Sequence, residues 1–125
     1  MTALDTARAH LDKAREFLQA AELVLDLELY NAAASNAVIA GINAKDAICL
    51  KLTGRTAKTD THEPAVKELR AAGPGTSELA TTLGRLLRLK PKSQYQQASV
   101  SASDAAKAVE WAERLVEGAT RIVTS

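Results

Sequence analysis

The sequence is poor in cysteine, in aromatic residues and in long apolar runs. Its single cysteine, Cys49, cannot form an internal disulfide. Aromatic residues make up 3% of the 125 residues, whereas hydrophobic residues make up 46%. The core must therefore be built from Ala, Leu, Val and Ile, of which alanine is the best helix former. No stretch approaches the roughly 18 apolar residues that span a bilayer, and the charged N-terminus is unlike a signal peptide. We predict a reduced, cytoplasmic protein with one domain over residues 1–125 and no membrane association.

The same scarcity argues against several enzyme classes. Zinc takes about three or four Cys, His or carboxylate ligands, and only His10 and His62 accompany Cys49. A Cys–His nucleophile pair needs an exposed cysteine, and the apolar setting of Cys49 predicts burial. No glycine-rich phosphate loop follows a strand, because no segment shows the alternation of a strand. We therefore expect no metal and no cofactor.

Apolar residues recur at spacings of three and four and predict an all-α fold. The expected helices cover residues 3–27, 30–52 and 62–72, then a stretch from Thr76 to about Pro91, and a last one that begins at Ser101 or Ser103 and runs to the end. In the second helix, alanines form a small-residue seam typical of a central helix: Ala33, Ala37, Ala40, Ala44 and Ala47. The pattern predicts a five-helix up-and-down bundle with four long helices and one short one.

Positive charge is concentrated in the middle of the chain. The net charge is only +1, but residues 51–92 hold nine Lys/Arg against four Asp/Glu. The flanking stretches 1–50 and 93–125 carry net charges of −3 and −1. An anionic ligand would therefore bind the middle of the chain, although solvated surface charge is the simpler explanation.

A polar stripe interrupts the apolar second helix. Asn36 and Asn43 are seven residues apart, and Asp46 lies nearby. These side chains either line a polar pocket or a dimer cleft, or they provide packing specificity and solvent contact.

Arg55 and His62 raise the possibility of metal-free RNA cleavage. Such a reaction needs a group that moves the proton of the 2′-hydroxyl and a cation that offsets charge on the phosphate. Histidine titrates near neutral pH and arginine forks onto phosphate, so these residues suit the two roles. The alternatives are a solvated loop arginine and a histidine that merely starts a helix.

Two segments together resemble a HEPN domain over nearly the whole chain. The first has a helix ending near a tyrosine, an alanine-rich second helix, a glycine-containing loop and a Thr-His pair that opens the third helix. These features fall on Tyr30, Asn31, Ala33, Ser35, Ala37, Gly54, Thr61 and His62. The later segment runs from a basic helix end through a tyrosine into a serine-capped final helix. Its residues here are Arg88, Lys90, Tyr95 and Ser101.

The resemblance implies one of two activities. Some HEPN domains are homodimeric, metal-independent endoribonucleases, often toxins, with an Arg-x(4–6)-His motif near the last helices. Others lack the motif and act as binding partners, commonly beside a nucleotidyltransferase. In the later segment, six residues separate Arg88 from Tyr95, so a tyrosine stands where the motif has its histidine. Arg55 and His62 have the spacing of the motif but lie earlier, between the second and third helices.

We therefore predict a homodimeric, non-catalytic nucleotide- or RNA-binding module of a toxin–antitoxin or phage-defence-type system, with a nucleotidyltransferase-type partner. The expected phosphate contacts are Arg55, Lys58, Arg85, Arg88 and Lys90, and Tyr95 would stack on a base. The alternatives are an endoribonuclease that uses Arg55 and His62, and a structural partner protein whose alanine seams bind another helix.

Overall fold

The protein is a bundle of α-helices. The computed structural model describes residues 1–57, 61–90 and 99–125, and these ranges contain five helices and no strand. The helices are α1 (Ala3–Asp26), α2 (Tyr30–Thr53), α3 (His62–Ala71), α4 (Ser77–Leu87) and α5 (Ala102–Thr124). The predicted all-α class and helix order are confirmed. Within the described ranges, no helix is both long enough and apolar enough to cross a membrane.

Polar side chains and one glycine define the helix ends. Thr2 caps α1 by accepting a hydrogen bond from the Asp5 amide, and the Asp5 carboxylate accepts one from the Thr2 amide in return. Ser101 caps α5 by accepting from the amide of Asp104, as the sequence predicts. At the end of α2, Gly54 has φ +79°, a left-handed conformation that glycine adopts without steric cost.

The second helix is the centre of the bundle and contacts each of the other four helices. Its predicted alanine seam is fully buried, with all five alanines 0% exposed. Because alanine and glycine carry little or no side chain, the neighbouring helices can approach α2 closely. Gly41 is an example, since a Cβ added there would lie 2.5 Å from a methyl carbon of Leu86 in α4.

The fourth helix is shorter than the sequence predicts. It spans 11 residues, one more than α3, and ends before the region of Pro91. The amides of Arg88 and Leu89 close its last turn on the carbonyls of Gly84 and Leu86. Its predicted apolar stripe, Leu79, Leu83 and Leu86, is buried. This helix packs between α3 and α5 and also touches α2.

We predict that Gly41→Ala destabilises the protein. The added methyl group must displace Leu86, which is fully buried, and a methyl carbon of Leu115 at 3.3 Å closes the other side. Overpacking of this kind costs about 1–3 kcal/mol. Alanine regains only about 0.5–1 kcal/mol over glycine in a helix. Urea unfolding should show a lower midpoint for the variant.

Gly84→Ala is the matched control, because a Cβ there would meet its nearest neighbour at 3.5 Å, an ordinary contact. Gly84 also lies inside a helix, so the same gain in helix propensity applies. Equal midpoints for the two variants would contradict the packing argument.

Candidate functional site

His62 is fixed between the third and fourth helices. It is the first residue of α3 and is half-buried. Its Nε2 lies 2.9 Å from the carbonyl oxygen of Gly84 in α4. A carbonyl oxygen only accepts hydrogen bonds, so Nε2 carries the hydrogen and donates it. In the neutral ring, Nδ1 therefore holds the lone pair.

Three arginines share a cleft with this histidine. The cleft, which we call the His62 cleft, has a volume of about 360 Å³ and lies between α3 and α4. Its basic members are His62, Arg70, Arg85 and Arg88. All three arginines are exposed, and Arg70 donates a hydrogen bond to the hydroxyl of Thr81 at 3.4 Å. The cleft thus places three permanent positive charges around one histidine.

A second cleft adjoins the first. It lies between α4 and α5, has a volume of about 560 Å³, and is called here the α4–α5 cleft. Its charged side chains are Glu78, Arg85, Arg114, Glu117 and Arg121. Thr81 and Arg85 line both clefts, so α4 forms a wall that the two clefts share. The second cleft carries mixed charge, whereas the charged side chains of the His62 cleft are all basic.

The structure places Arg55 and His62 in different clefts. Arg55 is exposed in the loop after Gly54 and lines a smaller cleft of about 240 Å³ with Cys49 and Glu68. The Thr53 hydroxyl holds this loop by donating to the Arg55 carbonyl at 2.9 Å. The side chains that share a cleft with His62 are instead the arginines of α3 and α4.

A buried ionic cluster fixes the start of the loop that carries Arg55. The ammonium of Lys45 is fully buried and lies 2.6 Å from carboxylate oxygens of both Asp46 and Glu68. The Thr56 hydroxyl donates to Asp46 at 2.5 Å, and the Ala57 amide donates to Glu68 at 2.7 Å. One cation and two carboxylates therefore connect α2, the loop and α3. Such a cluster is stable only because its members are hydrogen-bonded.

The cluster shifts the pKa values of its members in opposite directions. Burial acts to lower the pKa of Lys45, but its hydrogen bonds to Asp46 and Glu68 outweigh burial and raise it. Burial acts to raise the pKa of Glu68, but the bonds from Lys45 and the Ala57 amide outweigh burial and lower it. Both groups therefore stay charged at neutral pH.

The neighbouring cysteine is not a nucleophile in this setting. Cys49 is 1% exposed, which confirms its predicted burial. Burial, with the nearby carboxylate of Glu68, raises the pKa of the Cys49 thiol to about 12. Cys49 therefore stays a protonated thiol at neutral pH.

The polar residues of α2 have separate contacts. Asn43 donates to the carbonyl of its own helix at Ile39, and its side-chain oxygen accepts from Nδ1 of His10 in α1 at 2.9 Å. Asn36 donates to the carbonyl of Ala32. Asp46 belongs to the ionic cluster instead. The three predicted pocket residues are thus each engaged within the protomer, and a dimer cleft along Asn36 and Asn43 stays a prediction.

The other predicted phosphate contacts lie at or beyond the edge of the described chain. Lys90, which follows α4, is partly buried. Lys58 and Tyr95 lie outside the described residues. Within the described ranges, no group of three or more His, Cys, Asp or Glu side chains is placed to hold a metal ion.

Several residues of the site carried a signal that sequence reasoning passed over. Arg114 and Arg121 are seven residues apart, a spacing that puts them on one face of α5. Arg70 lies eight residues after His62 on a helix too short to separate them widely. Lys45 and Asp46 are adjacent charged residues in a mostly apolar helix, a setting that indicates buried, paired charges. None of these signals shows which helices will face one another.

The described helices form a small all-helical domain with adjoining basic and mixed-charge clefts. The HEPN domain family model matches residues 7–122, nearly the whole chain. The chain therefore belongs to the HEPN domain family, as its motifs predict, and domains of this family commonly dimerise. Comparison with curated proteins gives no match.

We predict that Glu68→Gln lowers the stability of the protein by about 1–3 kcal/mol at neutral pH, because the variant leaves a charged hydrogen-bond partner incompletely satisfied. The pKa of Glu68 is lowered in the folded state, so its contribution is present above pH 4.5, the ordinary glutamate value, and is lost as the pH falls further. The difference between wild type and variant should therefore shrink below pH 4.5. Urea unfolding between pH 3 and pH 7, roughly the range over which glutamates titrate, measures it.

Glu16→Gln serves as the control, since Glu16 is exposed on α1. A Glu68→Gln effect that is no larger than the control effect, or that is constant with pH, would contradict the assigned role of the cluster.

Proposed function

We propose that the protein is a nucleotide- or RNA-binding HEPN module that holds phosphate groups in the His62 cleft. The observation that carries this proposal is the gathering of Arg70, Arg85 and Arg88 around His62. All three arginines come from the part of the chain where positive charge is concentrated.

The chemistry of the cleft supports this proposal. A guanidinium offers a planar fork of donors that matches two phosphate oxygens. The His62 ring adds a further polar group, and its position is fixed by the bond to Gly84. The cleft volume of about 360 Å³ falls in the range of about 300–1,000 Å³ that small-molecule sites occupy. Arg55 lines a smaller cleft and would contact a phosphate of the bound RNA outside the His62 cleft.

A metal-independent endoribonuclease is the second candidate, favoured by the fixed tautomer of His62. With Nε2 donating to Gly84, the lone pair of a neutral ring is on Nδ1, which then serves as the base for a 2′-hydroxyl. The arginines of the His62 cleft would offset charge on the phosphate. In this version the cationic partners of His62 are Arg85 and Arg88, and Arg55 is not required.

The biological setting is part of the proposal. We infer that the protein acts in the cytoplasm as a homodimer, as a non-catalytic partner in a toxin–antitoxin or phage-defence-type system. A nucleotidyltransferase-type protein is the partner that the family membership favours.

We predict that the protein binds single-stranded RNA at low salt and that its affinity falls steeply as salt is added. Each phosphate contact contributes a slope of about −0.7 in log affinity against log salt. The double variant Arg85→Ala/Arg88→Ala should bind more weakly and lose about 1.4 of that slope. Fluorescence anisotropy with a labelled 8-nucleotide RNA at several salt concentrations measures both effects.

Arg8→Ala/Lys13→Ala is the charge-matched control, because both residues are exposed on α1 and line neither cleft. No binding at low salt either to this RNA or to a free nucleotide would reject the proposed function. An equal loss in the control would mean that net charge, and not the His62 cleft, determines binding.

The ribonuclease candidate predicts that the purified protein cleaves single-stranded RNA in the presence of EDTA. His62→Gln should abolish cleavage, since a glutamine amide can still donate to Gly84 but cannot take up a proton. Arg55→Ala should retain activity if the His62 cleft is the active site, and should lose it if Arg55 and His62 act as a pair. Cleavage that survives His62→Gln but is lost in His10→Ala would reject His62 as the base.

A further inference from the structure

The α4–α5 cleft carries both positive and negative side chains, of which the proposed phosphate site uses only Arg85. On α5, Arg114, Glu117 and Arg121 are spaced by three and four residues and therefore lie on one face. On α4, Glu78 and Arg85 face the same cleft. The lining of the cleft thus includes both carboxylates and guanidinium groups, and it offers both acceptors and donors to a ligand.

Phosphate binding alone does not explain the two carboxylates. Glu78 and Glu117 are exposed in the cleft and would repel a phosphate group. Their oxygens only accept hydrogen bonds when ionised, so they suit a ligand that presents N–H donors beside a negative charge. A nucleotide has both features, because its phosphate is anionic and several bases carry an exocyclic amino group.

The position of the cleft supports the same ligand. It shares Thr81 and Arg85 with the His62 cleft, so an RNA strand bound in one cleft can extend along the surface of α4 into the other. The volume of about 560 Å³ exceeds that of the His62 cleft and falls within the range of small-molecule sites. Arg114 is paired with Glu110 at 2.6 Å, but both side chains are more than half exposed. Such surface pairs are weak, so this pair does not prevent Arg114 from contacting a ligand.

We propose that the α4–α5 cleft binds an amino-bearing base of the RNA strand whose phosphate occupies the His62 cleft, with Glu78 and Glu117 accepting from the amino group. This inference rests on the proposed RNA binding. Cytosine and uracil are pyrimidines of the same size, but cytosine presents the N4 amino donor where uracil presents a carbonyl oxygen. Carboxylates read cytosine through that amino group, and single-stranded RNA exposes the edge that carries it. The cleft therefore selects cytosine over uracil.

The test compares binding of two 8-nucleotide RNAs, one all cytosine and one all uracil, to the full chain at neutral pH. Wild type should bind the cytosine strand about tenfold more tightly, the ratio that one good base contact provides. Glu78→Gln/Glu117→Gln should bring the ratio close to one. The variant should also bind the uracil strand more tightly than wild type, because two negative charges are removed and the glutamine amides can donate to the uracil carbonyl.

Glu16→Gln/Glu63→Gln is the charge-matched control, since both residues are exposed and line neither cleft. It should leave the cytosine-to-uracil ratio at its wild-type value. If wild type binds neither RNA, the proposed RNA binding fails. If wild type binds both RNAs but the ratio is the same in wild type and the Glu78/Glu117 variant, RNA binding stands and the base-reading role is overturned. That second outcome is also the one expected if a protein partner occupies the cleft.

Discussion

The packing of the whole bundle requires the other helices to approach α2 closely. The alanine seam of α2 is 0% exposed throughout, and Gly41 lets Leu86 of α4 contact the backbone of α2 almost directly. Since few aromatic residues are available to fill space, the core stays dense only if the helix backbones come close. That packing fixes the position of α4 between α3 and α5.

The candidate site follows from the position of α4. One turn of this helix supplies Thr81, Gly84 and Arg85 to the His62 cleft, and the same helix supplies one wall of the α4–α5 cleft. The bond from His62 to the Gly84 carbonyl joins α3 to α4. The histidine thus contributes to the packing of α3 on α4 and holds a fixed orientation in a basic cleft. A role in packing alone does not require neighbouring cations, and His62 shares its cleft with three exposed arginines.

The ionic cluster around Lys45 has a different role. Its two carboxylates come from α2 and α3, and its hydrogen bonds hold the side chain of Thr56 and the backbone amide of Ala57 in the loop that follows α2. Replacing such a cluster with apolar side chains often leaves stability unchanged, so we expect its role to be the selection of one arrangement of the loop. The loop that carries Arg55 is therefore held by the buried cluster, while Arg55 itself is exposed to solvent.

The helices and their burial were predictable from the sequence, because the 3.6-residue period and the capping residues act locally. The alanine seam, the burial of Cys49 and the Ser101 cap were all read correctly from neighbouring residues. The length of α4 was not predictable, because no residue before Pro91 indicates the turn at Arg88 and Leu89 that ends this helix.

The site depended on distances between residues far apart in the chain. The spacing of Arg55 and His62 suggested a pair, but the loop and α3 carry the two side chains to different clefts. Arg85 lies 23 residues after His62 in the sequence and shares its cleft. Arg114 and Arg121 lie on α5 and line the α4–α5 cleft on the other side of α4. The family, the helices and the region of positive charge follow from sequence patterns. The meeting of particular charges does not, because helix packing and not sequence separation sets the distance between side chains.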